Sequence, residues 1–345
     1  MRTTLITGGA GFVGTNLADH LLTHDTRVRI LDDLSRPGVE RNLRWLEARH
    51  GSRLEVLVGD IRERETVARA LARVDSVFHL AAQVAVTTSL GEPLDDAEVN
   101  LTGTLHLLEE ARLRPRPPAV LFTSTNKVYG SLPDLELRAS EHRYEPVEPR
   151  FRAGIGEERR LAFCTPYGCS KGAADQYVLD WSASYGVPTV VFRMSCIYGP
   201  HQQGNEDQGW VAHFVLSALQ EVPITLFGDG KQVRDVLFVE DLVRALTIAE
   251  DRAAEFAGRA FNIGGGPANA VSLLEVISIL TSVRGGDCPV VRFEPWRPGD
   301  QRYYVSDTSS FTNATGWRPS VDPVRGVDRL HQWMVGDRRA TPAAV

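Results

Sequence analysis

A glycine-rich turn near the start of the chain constrains the fold more than any other feature. The apolar, β-branched run Thr3–Thr7 leads directly into Gly8-Gly-Ala-Gly11-Phe-Val-Gly14, and an amphipathic helical pattern follows over Phe12–Leu22. Glycines at these places permit a tight turn and a close approach of backbone amides to the start of the helix. The sequence therefore predicts a strand, a tight turn and a helix as the first unit of the fold.

The same alternation of strand and helix continues through the first half of the chain. Continuous apolar runs of this length are typical of strands covered on both faces, and the helical patterns between them indicate β-α units. The predicted strands are Thr3–Thr7, Val28–Leu31, Leu54–Val58, Ser76–Leu80, Ala119–Thr123 and Thr189–Arg193; the predicted helices are Phe12–Leu22, Glu63–Ala72, Asp95–Arg112 and Pro166–Tyr185. This order predicts the α/β class, with a Rossmann-type, doubly wound parallel sheet.

The end of the second predicted strand adds a carboxylate to the glycine turn. Asp32 ends that strand, and an acid there accepts hydrogen bonds from the ribose hydroxyls of a bound dinucleotide and repels a 2′-phosphate. The helix after the turn presents its positive N-terminus to a pyrophosphate. The combination predicts a site for NAD rather than NADP, a preference that the nearby Arg36 weakens.

Further candidates for cofactor binding come from the turn and from other strand ends. Small side chains at strand ends permit close approach of a ligand, whereas His79, between Phe78 and Leu80 at a buried strand end, is predicted to be structural. The predicted cofactor-binding residues are Gly8, Gly11, Phe12, Val13, Asp32, Asp33, Ser35, Arg36, Asp60, Ile61, Leu80, Ala81, Ala82, Gln83, Asn100, Thr123, Tyr167 and Lys171.

Tyr167 and Lys171 are one helical turn apart and therefore share a face of a predicted helix. An ammonium beside a phenol lowers the pKa of the phenol from about 10, so that a phenolate can remove a proton from an alcohol. With a nicotinamide to receive the hydride, this pair indicates redox chemistry on a hydroxyl group. Of the 38 basic residues only Lys127, Lys171 and Lys231 are lysines, which strengthens the catalytic interpretation of Lys171. For the other two lysines, a role in the site and a solvated surface position both remain open.

Composition excludes several other classes of protein. The net charge of −6 and the pI near 5.9 give no global attraction for nucleic acid or anionic membranes, and no apolar run approaches the ~20 residues of a membrane span. The four cysteines have neither Cys-x-x-Cys spacing nor a histidine cluster in metal-binding register, so neither a metal site nor a disulfide framework is expected. We expect reduced thiols and a cytoplasmic location.

Several motifs together resemble the extended short-chain dehydrogenase/reductases that act on nucleotide sugars. They are Thr7-Gly-Gly-Ala-Gly-Phe-Val-Gly14, Ser124-Thr-Asn-Lys-Val-Tyr-Gly130, Tyr167-x-x-x-Lys171 and Gly230-Lys-Gln-Val-Arg-Asp235. The resemblance spans nearly the whole chain. Within the family it is greatest to the CDP-paratose 2-epimerases, also called CDP-tyvelose epimerases. The additional segments that suggest this are Asp33-Leu-Ser-Arg-Pro-Gly38, Tyr167-Gly-Cys-Ser-Lys-Gly-Ala-Ala-Asp-Gln-Tyr177, Asp207-Gln-Gly-Trp210 and Asp300-Gln-Arg302.

The resemblance implies roles for individual residues. Thr125 would hydrogen-bond the reacting sugar oxygen, Tyr167 would act as general base and then as general acid, and Lys171 would also hold the nicotinamide ribose. Arg234 and Arg302 match positions that bind the substrate diphosphate. The predicted catalytic residues are Thr125, Tyr167 and Lys171, and the predicted substrate-binding residues are Asn126, Lys127, Gln208, Trp210, Arg234 and Arg302. The family also implies a homo-oligomer, either a dimer or a tetramer.

The residues after Thr125 distinguish between reactions of this family. Dehydratases carry an Asp-Glu pair there and decarboxylases a nearby glutamate, whereas this chain has Asn126 and Lys127. Elimination is therefore disfavoured, which leaves epimerisation or a plain dehydrogenase or reductase reaction. The resemblance implies an NAD-dependent nucleotide-sugar epimerase that inverts carbon 2 of a CDP-hexose through a transient keto-sugar. Two alternatives remain: a 4-epimerase of a UDP- or dTDP-sugar, and a dinucleotide-sensing protein without catalysis.

The chain is long enough for two lobes, and the regular alternation ends after Arg193. We predict an NAD-binding domain over residues 1–193, completed by about 234–264, and a smaller α/β C-terminal substrate lobe over 194–345 that includes a helix at Trp210–Gln220. The charged stretch between Gly130 and Thr165 is expected to be either a lid over the sugar or a solvated insertion. Residues 338–345 show no periodicity and are expected to be irregular.

Overall fold

The structure of the chain is a computed structural model that describes residues 2–24 and 26–340. Its strands are β1 (Thr3–Thr7), β2 (Arg27–Asp32), β3 (Leu54–Val58), β4 (Ser76–His79), β5 (Ala119–Thr125), β6 (Leu137–Ala139), β7 (Tyr144–Pro146), β8 (Thr189–Met194), β9 (Cys196–Tyr198), β10 (Ile224–Phe227), β11 (Val233–Phe238), β12 (Arg259–Ile263), β13 (Ala270–Ser272), β14 (Val291–Glu294) and β15 (Tyr303–Tyr304). Its helices are α1 (Phe12–Thr23), α2 (Val39–His50), α3 (Arg64–Ala70), α4 (Val86–Gly91), α5 (Pro93–Ala97), α6 (Gly103–Arg112), α7 (Thr165–Tyr185), α8 (Trp210–Gln220), α9 (Val239–Asp251), α10 (Leu273–Arg284), α11 (Ser309–Thr315) and α12 (Pro323–Ala340), with a π turn at Glu98–Thr102.

The described chain divides into two compact units. The first comprises the chain up to Gly130, Arg160–Met194 and Val243–Asn262; the second comprises Ser131–Arg159, Ser195–Leu242 and the chain from Ile263 onward. The segment that returns to the first unit lies within the predicted range 234–264. Residues 131–159, which the predicted boundaries assign to the first domain, lie in the second unit instead. The assignment of cofactor to one domain and substrate to the other stays a prediction.

The first unit is built on a seven-stranded sheet in the order β12-β8-β5-β4-β1-β2-β3, whose neighbouring pairs from β8 to β3 are parallel. Thr7 of β1 pairs with Leu31 on one side and with His79 on the other. Parallel strands end at one edge of a sheet, and ligands bind at the place where the strand order reverses. The predicted doubly wound α/β fold is confirmed.

The core of the first unit explains why the strand sequences are continuously apolar. Leu5, Val77, Phe122 and Val191 lie in neighbouring strands, have no exposed surface, and pack with Leu107 of α6 in one cluster. Each fully buried side chain of this size contributes roughly 1.5–3 kcal/mol to stability. The sheet is therefore the rigid platform from which the strand ends project.

The predicted strands and helices of the first half agree with the structure to within two residues. Two differences stand out. The helix predicted at Asp95–Arg112 is interrupted by the π turn at Glu98–Thr102, and α2 was not predicted. In α2 only Val39, Asn42, Leu43 and Leu46 are buried, so the apolar stripe is narrow and highly charged positions surround it. These buried positions have the i, i+3, i+4, i+7 spacing of an amphipathic helix, so the many charged residues of α2, and not a lack of periodicity, explain why it was missed.

The second unit contains smaller sheets and its own core. In one sheet β11 pairs with β13, β15 and β9, and β10 pairs with β14 in another. Helix α8 has the predicted bounds, and its Phe214 packs in a cluster with Phe238, Leu280 and Leu330. The α10 helix begins with a capping box between Ser272 and Glu275. A smaller α/β lobe is therefore present, as predicted.

The stretch between Gly130 and Thr165 contains regular structure that the sequence did not predict. Strands β6 and β7 form an antiparallel hairpin, and Tyr144 N–H donates to the carbonyl of Lys231 at 3.0 Å. The Lys231 ammonium donates to the carbonyl of Ser140 at 3.0 Å, and the Tyr144 hydroxyl donates to Asp229 at 2.6 Å. The hairpin is thus an integral part of the second unit, braced by Lys231. A role as a lid stays a prediction.

The C-terminal helix continues further than the sequence indicates. Residues 338–340 end α12, so the expectation of irregular structure is wrong for them, and 341–345 lie outside the described residues. Within the described ranges, no helix has both the length and the apolarity to span a bilayer.

Candidate active site

The turn between β1 and α1 forms the first wall of the candidate active site. Gly8 has a φ of 68°, and a Cβ atom at this position would lie 2.8 Å from the backbone nitrogen of Ala81. A Cβ at Gly14 would lie 2.4 Å from the carbonyl oxygen of Gly8. Gly11 caps α1 without a side chain, so the first N–H groups of the helix have no partner within it. This cradle of close-packed backbone and available donors fits the pyrophosphate of a dinucleotide.

Asp32 lies at the end of β2 and is fixed by the turn itself. Its Oδ2 accepts a hydrogen bond from Ala10 N–H at 2.9 Å, and its Oδ1 accepts one from Leu34 N–H at 3.0 Å. Burial raises the pKa of this carboxyl, while the two backbone hydrogen bonds and the charge of Arg36 oppose the rise. The carboxylate retains lone pairs for ribose hydroxyls. Asp32 therefore lies beside the glycine turn, as predicted.

The loop after β2 holds three further predicted residues. Asp33 Oδ1 accepts hydrogen bonds from the backbone and hydroxyl of Ser35, at 3.0 and 2.8 Å. The charge of Arg36 acts on both Asp32 and Tyr167, and burial of its guanidinium lowers its pKa. Arg36 thus connects electrostatically the end of β2 with the predicted catalytic residues, a link that sequence spacing did not suggest.

The other predicted cofactor residues fall into two groups. Leu80, Ala81 and Ala82 follow β4 directly, and Phe12 and Val13 lie in the first turn of α1, so these residues surround the glycine turn. By contrast, the polar groups of Asp60, Gln83 and Thr123 are engaged within the protein: Asp60 binds Arg62 (Oδ2 to Nε, 2.9 Å), Gln83 Nε2 donates to Ala85 O and Asp96, and the Thr123 hydroxyl donates to His79 O. Ile61 is buried. These residues shape the site rather than offer free polar groups.

Asn100 lies in the π turn and is almost completely buried. Its Nδ2 donates to the carbonyl of Gln83 at 3.0 Å and to Ser170 Oγ at 3.1 Å. Its Oδ1 has no hydrogen-bond partner among the described residues. This unpartnered acceptor lies next to Gln83, which follows the strand end that meets Gly8, and it fits a polar cofactor group.

His79 is structural, as predicted. Its Nδ1 lies 2.7 Å from Thr7 Oγ1, and its Nε2 lies 2.9 Å from Thr104 Oγ1. Burial, with a smaller effect from the charge of Lys171, lowers its pKa to about 3. A neutral, doubly hydrogen-bonded ring is not an acid or base at working pH.

The predicted catalytic residues meet in the first unit. Thr125 ends β5, Tyr167 and Lys171 lie on α7, and the Thr125 side chain acts on the Tyr167 phenol by lowering its pKa. Tyr167 is 8% exposed and Lys171 only 2%. Their roles stay predictions, but their proximity supplies the geometry that acid–base chemistry requires.

The pKa of Tyr167 differs from the sequence-based expectation. Burial raises it to about 12; the Thr125 hydrogen bond and the charge of Arg36 lower it, and the charge of Asp96 raises it further. Burial likewise lowers the pKa of Lys171 to about 7, although Asp175 and Asp96 counteract this shift. The expectation that Lys171 brings the phenol toward neutral pKa is therefore wrong for the chain alone, because burial disfavours both charges.

A buried ion pair fixes the helix that carries Tyr167 and Lys171. Asp175, one turn beyond Lys171, accepts two hydrogen bonds from Arg193, at 3.0 Å from Nε and 2.9 Å from Nη2. Arg193 Nη1 also donates to Tyr129, whose hydroxyl donates to Asn262 at 2.7 Å. This network was not predicted from the sequence, although the i, i+4 spacing of Asp175 from Lys171 is a usable signal.

The residues after Thr125 form a 3₁₀ turn at Asn126–Tyr129. Thr125 Oγ1 caps this turn by accepting from Lys127 N–H at 3.2 Å, and it lies 3.4 Å from Asn126 Oδ1. Asn126 is 6% exposed. The turn therefore holds both predicted substrate residues directly beside the hydroxyl of Thr125.

The two predicted diphosphate-binding arginines of the second unit have different surroundings. Arg234 is buried and donates to Asp300 at 2.6 Å, to Val233 O at 2.7 Å, and to the carbonyl of Gln301. Arg302 is exposed, and its guanidinium carbon lies 5.7 Å from the ring centroid of Tyr144 and 5.4 Å from that of Trp296. Arg234 thus orders the Asp300–Arg302 segment, while two aromatic rings support Arg302.

Gln208 lies in the loop that precedes α8, and Trp210 is the first residue of that helix. Gln208 N–H donates to Asn205 Oδ1 at 2.8 Å, and the Trp210 indole donates to Cys196 Sγ at 3.4 Å. Trp210 begins α8 and packs edge-on against Phe214. Local contacts therefore fix both residues within the second unit.

The chain belongs to the NAD dependent epimerase/dehydratase family, whose model matches residues 4–264. It is 42% identical to the CDP-paratose 2-epimerase of Salmonella typhi over 336 residues, which cover 95% of this chain and 98% of that relative. Among solved structures, it is similar to the UDP-glucose 4-epimerase of Thermotoga maritima with UDP-glucose (29% identity, TM-score 0.83, 97% and 99% of the two chains). It is also similar to the dTDP-glucose 4,6-dehydratase of Bacillus anthracis in complex with NAD (26% identity, TM-score 0.81, 98% of each chain). The predicted family and NAD as cofactor are confirmed.

We predict that Gly8→Ala abolishes NAD binding and lowers stability by roughly 1–3 kcal/mol. A Cβ at this position would collide with the end of β4, and alanine is strained at a φ of 68°. The measurements are isothermal titration with NAD and thermal unfolding. Gly336→Ala, in α12 with nothing within 4 Å of the added Cβ, is the matched control: it keeps NAD affinity and gains up to about 1 kcal/mol of stability, because alanine favours a helix more than glycine does. Wild-type NAD affinity in Gly8→Ala would refute the prediction.

We predict that Lys171→Met stabilises the chain without added NAD while removing turnover. The pKa of Lys171 is about 7 in the folded chain and 10.5 ordinarily, so burial of its charge costs roughly 4–5 kcal/mol at pH 7 and below. Between these pKa values the unfolded chain binds the extra proton, so wild-type stability rises with pH. The gain from methionine is therefore largest near pH 6–7 and fades toward pH 10.

Chemical unfolding at pH 6, 8 and 10 measures this gain. Lys231→Met is the control, because its ammonium lies in an exposed contact with Ser140 and its removal relieves no buried charge. A gain for Lys171→Met that is absent at pH 6, or that grows toward pH 10, contradicts the prediction.

Proposed function

We propose that the chain is a nucleotide-sugar epimerase that inverts carbon 2 of a CDP-linked hexose through a transient keto-sugar. The observation that carries this proposal is the set Thr125, Tyr167 and Lys171, in which the residues following the threonine are an amide and an amine. Acid–base chemistry at one sugar oxygen is available there, whereas Asn126 and Lys127 supply no carboxylic acid for elimination. This chemistry agrees with oxidation followed by reduction at the same carbon.

Each residue of the set has a separate task in this proposal. Tyr167 takes the proton from the sugar hydroxyl and later returns it, and the hydroxyl of Thr125 orients the same oxygen. Bound NAD would supply the hydride acceptor for the oxidation of the sugar carbon and the hydride donor for its reduction. Lys171 supplies positive charge next to the phenol and a donor for the nicotinamide ribose. The residues that would hold NAD are the glycine turn, Asp32 and the first turn of α1.

The choice of carbon 2 and of a CDP-sugar rests on similarity to the CDP-paratose 2-epimerase of Salmonella typhi, at 42% identity over nearly the whole of both chains. The similarity to UDP-glucose 4-epimerases is weaker, at 29% for the Thermotoga maritima structure. Inversion at carbon 4 of a UDP-sugar would use the same set and is the second candidate.

We propose that the substrate diphosphate binds the second unit at Arg302. This guanidinium is permanently charged, exposed and oriented by the rings of Tyr144 and Trp296, and a planar fork suits two phosphate oxygens. Arg234 contributes by ordering the Asp300–Arg302 segment, since its own donors are bound to that segment and to Val233. Anchoring the nucleotide in this way leaves the sugar free to reorient between the two half-reactions.

We also propose that the protein works in the cytoplasm as a homo-oligomer, a dimer or a tetramer. The free state of Cys164, Cys169, Cys196 and Cys288 agrees with a reducing compartment. Family membership supports self-association, and light scattering of the purified protein measures the number of subunits.

We predict that CDP-glucose incubated with the protein yields a manno-configured product, seen in the anomeric proton couplings by NMR. Parallel incubation with UDP-glucose tests the second candidate function, because a 4-epimerase would yield a galacto-configured product.

Tyr167→Phe should keep the fold but lower turnover by roughly 10²–10⁴-fold, because the acid–base group is lost. Full turnover in Tyr167→Phe would contradict the assignment of Tyr167 as the acid–base residue. If the wild-type protein yields only a galacto-configured product, the reacting centre is carbon 4 and not carbon 2.

We predict that Arg302→Lys weakens CDP binding about tenfold, because an ammonium cannot bind two phosphate oxygens in the planar manner of a guanidinium. Binding of NAD should not change. Arg292→Lys, at an exposed position on β14, is the matched control and keeps wild-type affinity. Titration calorimetry with CDP measures both variants, and equal affinities would show that Arg302 does not bind the diphosphate.

A further inference from the structure

We propose that Asp96 is a positioning residue of the active site: neutral donors hold its buried carboxylate so that its charge acts on Lys171 and Tyr167. The inference rests on the proposed function for the roles of those two residues. No motif of the sequence singled out Asp96, which lies at the end of the short helix α5.

Asp96 has no exposed surface, yet three donors satisfy its carboxylate. Its Oδ1 accepts from Gln83 Nε2 at 3.0 Å and from Asn100 Nδ2 at 3.1 Å, and its Oδ2 accepts from the hydroxyl of Ser170. Burial raises the pKa of this carboxyl, but the ionised form accepts all three bonds, so the three donors favour it and oppose the rise. The structure thus keeps a negative charge inside the first unit.

The π turn at Glu98–Thr102 follows Asp96 directly and carries Asn100. π turns inside helices are frequent at functional sites, and this one carries the amide that binds the carboxylate. Ser170 connects the carboxylate to the catalytic helix, because it precedes Lys171 and its Oγ lies 3.2 Å from the carbonyl of Tyr167. Asp96 therefore contacts the turn of α7 that bears the catalytic pair.

The charges along α7 itself are balanced in a different way. Asp175 raises the pKa of Lys171, but its carboxylate is bound in two hydrogen bonds by Arg193, so a cation in direct contact compensates it. Tyr167, one turn before Lys171, has a raised pKa and is neutral near pH 7. The helix thus offers Lys171 no carboxylate without an arginine partner.

Among the described residues, two carboxylates raise the pKa of Lys171, those of Asp175 and Asp96. Asp96 is the one of these two that has no arginine partner. From β5 the ring of Phe122 lies 4.1 Å from the ammonium, and from β4 comes His79, which is neutral. Arg36 adds a positive charge on the Tyr167 side. Asp96 accepts hydrogen bonds from neutral groups; burial raises its pKa, and the hydrogen bond from Ser170 and the charge of Lys171 oppose that rise.

The sign of the effect follows from this arrangement. An anion raises the pKa of every group near it, so the charge of Asp96 helps Lys171 to stay protonated and opposes ionisation of Tyr167. In Asp96→Asn both pKa values fall, and the whole pH profile of kcat moves to lower pH. A residue that only supported the fold would lower kcat without moving the profile.

The titration of Lys171 can be followed directly, because only three lysines are present. In protein labelled with ¹³C at lysine Cε, three signals are expected. The signal that is missing in Lys171→Met is that of Lys171. We expect the Lys171 midpoint to fall by about one pH unit in Asp96→Asn, together with the kcat profile. Asp95→Asn, at the neighbouring exposed position paired with Arg62, is the matched control and leaves the midpoint in place.

A second variant tests the same coupling if Asp96→Asn does not fold. Because coupling between two titrating groups is reciprocal, Lys171→Met should raise the midpoint of the Asp96 carboxyl, measured with ¹³Cγ-labelled aspartate. An unmoved Lys171 midpoint in folded Asp96→Asn, or an unmoved Asp96 midpoint in Lys171→Met, overturns the proposal. Since these titrations need no substrate, absence of epimerase turnover with the coupling intact would overturn the proposed function alone.

Discussion

Burial of the Lys171 ammonium is the constraint on which the rest of the active site depends. Removing an ammonium from water costs several kcal/mol, and Lys171 is only 2% exposed. The ring of Phe122 at 4.1 Å, the carboxylate of Asp175 and the charge of Asp96 each offset part of this cost. Because Asp175 is held by Arg193, these contacts also fix the helix that presents Tyr167. The chemistry and the local stability therefore depend on the same few buried charges.

The parallel sheet supplies the other half of the arrangement. Strand β1 lies between β2 and β4, so its C-terminal end brings the glycine turn between Asp32 and the end of β4. The close approach of Gly8 to Ala81 leaves no room for a side chain, and the amides at the start of α1 remain available. Thr125 ends β5 in the same parallel series, and its side chain lowers the pKa of Tyr167. The predicted cofactor residues and the predicted catalytic Thr125 thus lie at the same edge of the sheet.

Local motifs allowed much of this site to be predicted from the sequence. The glycine turn, Asp32 and the Tyr167–Lys171 pair are defined by short spacings on predictable strands and helices, so their positions followed from periodicity. Asp96 could not be found in this way, because its partners Gln83 and Ser170 come from distant parts of the chain. The pKa of Tyr167 was misjudged for a related reason, since spacing reports the neighbouring charge but not the burial that outweighs it. Helix α2 and the β6–β7 hairpin were not predicted, because their apolar faces are narrow and most of their other residues are charged.

The central claim is that oxidation and reduction occur at carbon 2 while the protein exchanges only the proton on oxygen, through Tyr167 and Thr125. The most direct measurement uses CDP-glucose deuterated at carbon 2, incubated with the protein in ordinary water and followed by NMR and mass spectrometry. The account predicts a manno-configured product that retains deuterium at carbon 2, because the hydride that leaves this carbon returns to it. Loss of the deuterium to solvent, or inversion at carbon 4 with carbon 2 unchanged, would contradict it.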